Sequence, residues 1–255
     1  MDSHEVTRAL SFGRGAASYD RVRPDYSPEV VDLPASRLGL GSDAHVLDLG
    51  AGTGKLTRLL VERFARVTAV EPDESMRAVL SQVTDCYLAL EGRAEAIPLA
   101  DASIDAVFVG QAFHWFDVDE ALAEIARVLR PRGGLVLVWN SWWRTEPPIP
   151  RAATDLMQRV KERPSLGVIP VEAREWEWRS CFAGSLFEAA REERIETQQV
   201  GMGAESLVTL YLSTSPFGTL PPDEFEATER ELRRLVVGEY ILPVETELYW
   251  TRLAT

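Results

Sequence analysis

The stretch VLDLGAGTGKLTRLL, Val46 to Leu60, constrains this chain more than any other. A short apolar run ends in glycines at alternate positions, Gly50, Gly52 and Gly54, and a helical pattern starts directly after them. Leu56, Leu59, Leu60 and Phe64 fall at i, i+3, i+4 and i+8, which is one face of a helix. A strand that turns so tightly into a helix is the opening of a βα unit. If the pattern repeats, the sheet must be largely parallel.

It does repeat. Val67 to Val70 reads as a second strand ending at Glu71, and Pro72 and Asp73 open a helix through Met76, Val79 and Leu80. Cys86 to Leu90 is a weaker strand, and Ile104 to Val109 a clear one. Asp117 followed by Glu120 resembles a capping box, and Val118, Ala121, Leu122, Ile125 and Leu129 line one helical face behind it. Pro131, Gly133 and Gly134 stop that helix, and Leu135 to Trp139 is the fifth strand. Such alternation predicts an α/β, doubly wound sheet with helices on both faces.

The second half is organised differently. Residues 141–190 are irregular and rich in Trp and Pro, with a helix predicted over Arg151 to Lys161. Arg194 to Val200 and Val244 to Leu253 read as two further strands, with helices over Ala204 to Leu212 and Asp223 to Val237 between them. Residues 204–242 are thus an insertion suited to substrate recognition. Residues 1–42, with Pro24, Pro28 and Pro34, read as an N-terminal cap segment, and 43–255 as one domain. Within it, 43–140 forms the ligand-binding core and 141–255 the rest of the sheet with its lid insertions.

Charge narrows the partners. Lys and Arg number 27 against 40 Asp and Glu, a formal net charge of −13. That opposes loose attraction to nucleic acid or anionic membranes, because phosphate binding leans on cationic side chains. No apolar run is long enough for a membrane helix and no signal peptide is evident, so a cytoplasmic protein without membrane insertion is expected. Cys86 and Cys181 have no Cys or His neighbour at metal-ligand spacing and read as ordinary thiols of a reduced compartment.

The glycine turn then has to be matched to a ligand. A dinucleotide fingerprint needs glycine at its first, third and sixth positions, and the sixth from Gly50 is Lys55. A P-loop needs four residues between its glycines and Ser or Thr after the lysine; here three residues separate Gly50 from Gly54, and Leu56 follows Lys55. What remains is Asp48-x-Gly-x-Gly-x-Gly. An acidic residue at the turn suits a ligand with positive charge. Glu71, at the end of the second strand, can accept both hydroxyls of a ribose. A nucleoside with a cationic amino-acid tail satisfies both carboxylates, and S-adenosylmethionine is such a molecule.

These residues resemble the class I S-adenosylmethionine-dependent methyltransferases. VLDLGAGTGKLT is similar to their first motif and VTAVEPDESM to their acidic-loop motif. GRAEAIPLADASIDAVFVGQAFHWFD with ALAEIARVLRPRGGLVLVWN resembles the subgroup of ubiquinone/menaquinone C-methyltransferases, with HWFD leaning toward trans-aconitate methyltransferase-like proteins. The resemblance spans roughly residues 10–140, and VETELYWTRL is similar to the family's last strand. It implies a Rossmann-like, seven-stranded, mostly parallel sheet whose last strand runs antiparallel beside the fifth. It also implies the cofactor across the carboxyl ends of the first strands, leaving as S-adenosylhomocysteine. Asp48, Gly50, Gly52 and Gly54 would frame its methionine part, Glu71 its ribose, Pro72 and Met76 its adenine, and Ala94 and Glu95 the adenine edge. Gln111 would face the methyl-transfer chamber.

Other readings stand beside these. Met76 also suits a packing gap in the core, and Glu95 an exposed position. His114 titrates near neutrality and could take a proton, but a chamber-lining or structural role is the expectation. Tyr19, Arg23 and Tyr26 resemble the segment that closes over the cofactor, and Trp115, Trp139, Trp142 and Trp143 suit either a substrate wall or plain packing. No metal site is expected, because methyl transfer needs positioning and no His/Cys/Asp cluster has metal spacing. The expected activity is methylation of a small molecule, with oxygen the first choice of acceptor. The alternatives are a C-methyltransferase acting on a quinone or lipid-like precursor and a non-catalytic S-adenosylmethionine-binding module.

Overall fold

The structure is a computed structural model that describes residues 20–85, 88–142, 149–162, 181–182, 184–214, 217 and 220–254. In chain order its elements are α1 (Glu29–Leu38), β1 (His45–Leu49), α2 (Lys55–Arg63), β2 (Arg66–Val70), α3 (Glu74–Val83), β3 (Leu88–Leu90), β4 (Ile104–Gly110), α4 (Val118–Val128), β5 (Leu129–Ser141), α5 (Arg151–Lys161), β6 (Arg191–Gly203), α6 (Ala204–Leu212), α7 (Pro222–Leu235) and β7 (Glu239–Arg252). The seven strands run in the order β3-β2-β1-β4-β5-β7-β6. Pairs from β3 through β5 are parallel, and β7 is antiparallel to both β5 and β6. β1 and β4 are the first strands of the two opposite windings and lie side by side. Their carboxyl ends therefore open the crevice where ligands bind in such sheets.

Strand alternation divides the core. Leu47, Val107, Leu135, Leu137 and Tyr249 face α4, packing on Ala121, Leu122 and Ile125. Val46, Phe108, Val136, Val138 and Leu248 face the other way, onto Leu56 and Leu60 of α2 and Val30, Val31, Ala35 and Leu38 of α1. The segment before residue 43 thus supplies core as well as cover. A third buried cluster joins α5, α6 and α7 to the ends of β6 and β7, through Met157, Leu207, Leu210, Leu232, Leu242 and Val244. No helix among the described residues is long and apolar enough to cross a membrane.

Several boundaries differ from the sequence expectation, each for a physical reason. β5 starts at Leu129, which patterning gave to the preceding helix, because Leu129 pairs with Ile104 before the register jumps to Ala106–Gly134. The Pro131–Gly133 stretch fills that bulge, with Arg132 at φ 65°. β6 begins at Arg191, earlier than apolar patterning shows. Its first residues are charged, since it is an edge strand facing water, and Arg194 pairs with Glu245 at 2.9 Å. β7 likewise begins at Glu239. β3 spans only Leu88–Leu90, and Cys86 lies outside the described residues.

Candidate active site

The turn after β1 hangs on the end of β2. Both Gly50 and Ala51 donate their N–H to the Val70 carbonyl, at 2.8 and 3.1 Å. Gly50, Gly52 and Gly54 take φ of 71°, 56° and 88°, a region L side chains avoid. Space excludes side chains as well. A Cβ on Gly50 would sit 2.7 Å from that of Ala112, and one on Gly54 2.5 Å from Leu80 Cδ1.

Asp48 projects from the middle of the sheet with 1% of its surface exposed. Its Oδ2 accepts the Thr57 hydroxyl at 2.6 Å from the first turn of α2, and its Oδ1 has no hydrogen-bond partner. Burial raises its pKa to about 7; the Thr57 hydrogen bond opposes that shift and the nearby Glu71 charge adds to it. A buried carboxylate oxygen without a donor costs free energy, and a cationic ligand would recover it.

Glu71 clamps two turns together. Its Oε2 accepts the Gly52 N–H and its Oε1 the Asp73 N–H, each at 2.9 Å. Each oxygen keeps a second lone pair, enough for two ribose hydroxyls. Burial pushes this carboxyl upward too, against those two backbone hydrogen bonds. Asp73 caps α3 by accepting the Met76 N–H at 3.0 Å. Pro72 is half-buried at this turn. Met76 is buried, with its sulfur 3.6 Å from where a Gly52 Cβ would be, so it packs the core and borders the turn at once.

Across the crevice, Ala94 is buried in the α4-side core. Glu95 is committed to the chain: its Oε1 accepts the Asp117 N–H at 2.9 Å and its Oε2 the Arg93 Nε–H at 3.4 Å. That carboxylate ties the loop after β3 to the entry of α4. Gln111 follows β4 at φ 56°, its N–H on Val138 O at 2.9 Å and its Nε2 on Asn140 O at 2.6 Å. His114 lies half-buried in a short 3-10 turn, Phe113–Trp115, with its ring 4.8 Å from that of half-buried Trp115. Phe116 packs beneath the glycine turn, 3.4 Å from where a Gly50 Cβ would stand. The segment around His114 therefore shapes the turn by packing.

Of the two readings of Trp139, substrate wall or plain packing, its surroundings fit packing. It is 4% exposed and stands edge-on to Tyr249 at 5.8 Å, because its place in the β5 alternation turns it into the α4-side core. Arg23 reaches past the sheet ends, donating to Ser213 Oγ and O at 3.2 and 3.1 Å, with its guanidinium 4.7 Å from the Trp142 ring. Tyr19, Trp143, Trp176 and Trp178 lie outside the described residues. Patterning missed Asp20, Thr57, Asn140 and Ser213. A hydroxyl in the first turn of α2 was a signal for Thr57; the others meet the site only through long-range contacts. Among the described residues no group of His, Cys, Asp and Glu could hold a metal ion.

Comparison with known proteins bears on this geometry. A family described as a methyltransferase domain matches residues 47–137. An uncharacterized methyltransferase of Mycobacterium tuberculosis is 53% identical over 52% of this chain and 53% of its own length, so the match spans about half of that relative. An uncharacterized methyltransferase-like protein of Schizosaccharomyces pombe is 34% identical over 87% of this chain and 84% of its own. A malonyl-[acyl-carrier protein] O-methyltransferase of Methylococcus capsulatus is 41% identical over 49% of this chain and 48% of its own. Among solved structures, a putative methyltransferase from an antibiotic biosynthesis pathway of Anabaena variabilis superposes with a TM-score of 0.57, covering 89% of this chain and 97% of that one at 19% identity.

Proposed function

The chain belongs to the class I S-adenosylmethionine-dependent methyltransferases, and from that premise we propose that it methylates an oxygen, most simply a carboxylate, of a small-molecule acceptor. The observation that carries the cofactor half is the buried Asp48 Oδ1 without a partner, beside a turn that no side chain may enter. A cationic amino-acid tail meets that oxygen. Glu71 takes the ribose hydroxyls, Pro72 and Met76 flank the adenine, and the backbone of Ala94 and Glu95 reads its edge. The bound cofactor supplies a methyl group activated on a sulfonium, with a neutral thioether as leaving group.

The protein's share is to position and to exclude water. Gln111, held by Asn140, presents its amide on the acceptor side, and His114 and Trp115 line the same edge. Arg23 closes the roof from the strap before α1. A carboxylate nucleophile carries its own lone pair, forms one O–C bond as the S–C bond breaks, and needs no base. This leaves His114 as a lining residue. The relative named for O-methylation of a malonyl group supports oxygen as the acceptor atom.

The test is release of S-adenosylhomocysteine across a panel of free and carrier-linked carboxylic acids, with a mass gain of about 14 daltons on the product. Turnover confined to quinone or lipid-like rings would replace O- by C-methylation. Tight binding of the by-product with no methylated acceptor in any pool would point to a non-catalytic binding module.

A further inference from the structure

Residues Asp20 to Tyr26 form a strap across the carboxyl ends of the strands. At one end Asp20 accepts the Thr53 hydroxyl at 2.7 Å and the Arg58 guanidinium at 2.7 and 2.8 Å. Thr53 lies between Gly52 and Gly54, so this end is fastened to the glycine turn itself. Asp25 pairs with Lys55 Nζ at 2.5 Å on the next residue position after that turn. Arg23 fastens the strap to Ser213 at the end of α6 and lies over Trp142. Val22 enters the lid cluster and Tyr26 the core beneath α1.

Asn140, near the end of β5 and 2% exposed, joins this strap to the floor of the crevice. Its Nδ2 donates to the carbonyls of Pro24 and Asp25 at 3.4 and 3.3 Å. Its Oδ1 accepts the Thr246 hydroxyl at 2.6 Å, and its main-chain oxygen accepts Gln111 Nε2 at 2.6 Å. The two strap carbonyls can only accept, so they dictate which way the amide faces; Thr246 then supplies the donor for the other end. The bonds to β7 and Gln111 are short, and those to the strap are long. The amide is therefore fixed on the sheet side by Thr246 and lightly held on the strap side. When the strap lifts, water can replace two weak bonds at little cost.

We propose that Asn140 is a positioning residue: it seats the strap over the glycine turn in register with Gln111, and release of the strap from Asn140 gates cofactor exchange. This rests on the reading that the turn holds S-adenosylmethionine. Asp20 and Asp25 close across Thr53 and Lys55, so nothing enters or leaves the turn on that side while the strap is down. No covalent step is involved; the gate trades hydrogen bonds with water.

The experiment uses the full chain with S-adenosylhomocysteine as probe. In Asn140→Asp, a carboxylate oxygen replaces Nδ2 opposite two carbonyls, while the acceptor for Thr246 remains. Release of the probe, followed by stopped-flow displacement, should quicken by at least about tenfold, because an anionic oxygen then faces two carbonyl acceptors and repels the strap. Hydrogen exchange across residues 20–28 should quicken too, with the amides of β1 and β4 keeping their protection. Thr246→Val frees the amide to turn and should show the same changes to a smaller degree; it decides the matter if Asn140→Asp does not fold. Wild-type release rates and wild-type strap protection in these variants would overturn the role of Asn140. A wild-type protein that does not bind the probe by calorimetry would instead overturn the proposed function, and the gating role with it.

Discussion

At the residue scale, Asp48 is the most informative group. Its carboxyl is raised to about 7 from the usual 3.8 mainly by burial, so between those values the native state binds more protons than the unfolded chain. That contribution to stability is complete at low pH and is lost as pH rises through about 7. The unliganded protein should therefore melt at lower temperature at pH 8 than at pH 6, by an amount that Asp48→Asn reduces. A cationic ligand binds the ionised form, so the thermal upshift from S-adenosylhomocysteine should grow over the same interval. Asp48→Asn should weaken that ligand by about ten- to a hundredfold, the worth of one charge-assisted hydrogen bond, measured by calorimetry. Tyr211 is a second residue of this kind. Its buried hydroxyl has no partner, so Tyr211→Phe should leave the protein as stable or raise its stability by about 1 kcal/mol in denaturant unfolding. The opposite sign would reveal a partner for that oxygen.

At the scale of elements, the strand-turn-helix unit of β1 and α2 is over-determined. Backbone angle and space both demand glycine at position 54, since a methyl there meets Leu80 of α3. Gly54→Ala should cost about 1–3 kcal/mol in urea unfolding, the range of a forced left-handed residue, with more if Leu80 does not yield. Thr57→Val tests the other half of the unit. It removes the Thr57 hydroxyl hydrogen bond to Asp48 and should push that carboxyl further upward, moving the pH at which affinity for the cofactor rises to a higher value. The lid elements obey weaker rules. α5 and α6 fall on the residues that apolar periodicity predicts, while Trp139 is buried in the α4-side core. A tryptophan at the end of a central strand reads the same whether it faces core or crevice, and only its register opposite Glu247 on β7 and its ring contact with Tyr249 settle which.

At the scale of the whole molecule, β7 decides whether the sheet closes. It lies between β5 and β6, so the last strand of the chain supplies Leu248 and Trp250 to the α1–α2 core and Tyr249 to the α4 core. A chain ended at Gly203 keeps every residue proposed to hold the cofactor yet exposes both edges of that gap. It should lack a cooperative thermal transition and should not bind S-adenosylhomocysteine; a folded, binding fragment would show the first five strands to be self-sufficient. The sequence by itself determined the βα alternation, the parallel core and the acidic-glycine turn, because these depend on local periodicity, glycine stereochemistry and spacing within some twenty-five residues. It also carried the resemblance that implied an antiparallel last strand. Only the tertiary structure decided that Glu95 is committed to Asp117 and Arg93, that Trp139 is core, and that Asn140 ties strap to floor. Those outcomes depend on which distant groups share a buried space, where a polar atom takes whatever partner the packing brings within 3 Å or so, and no local pattern encodes that choice.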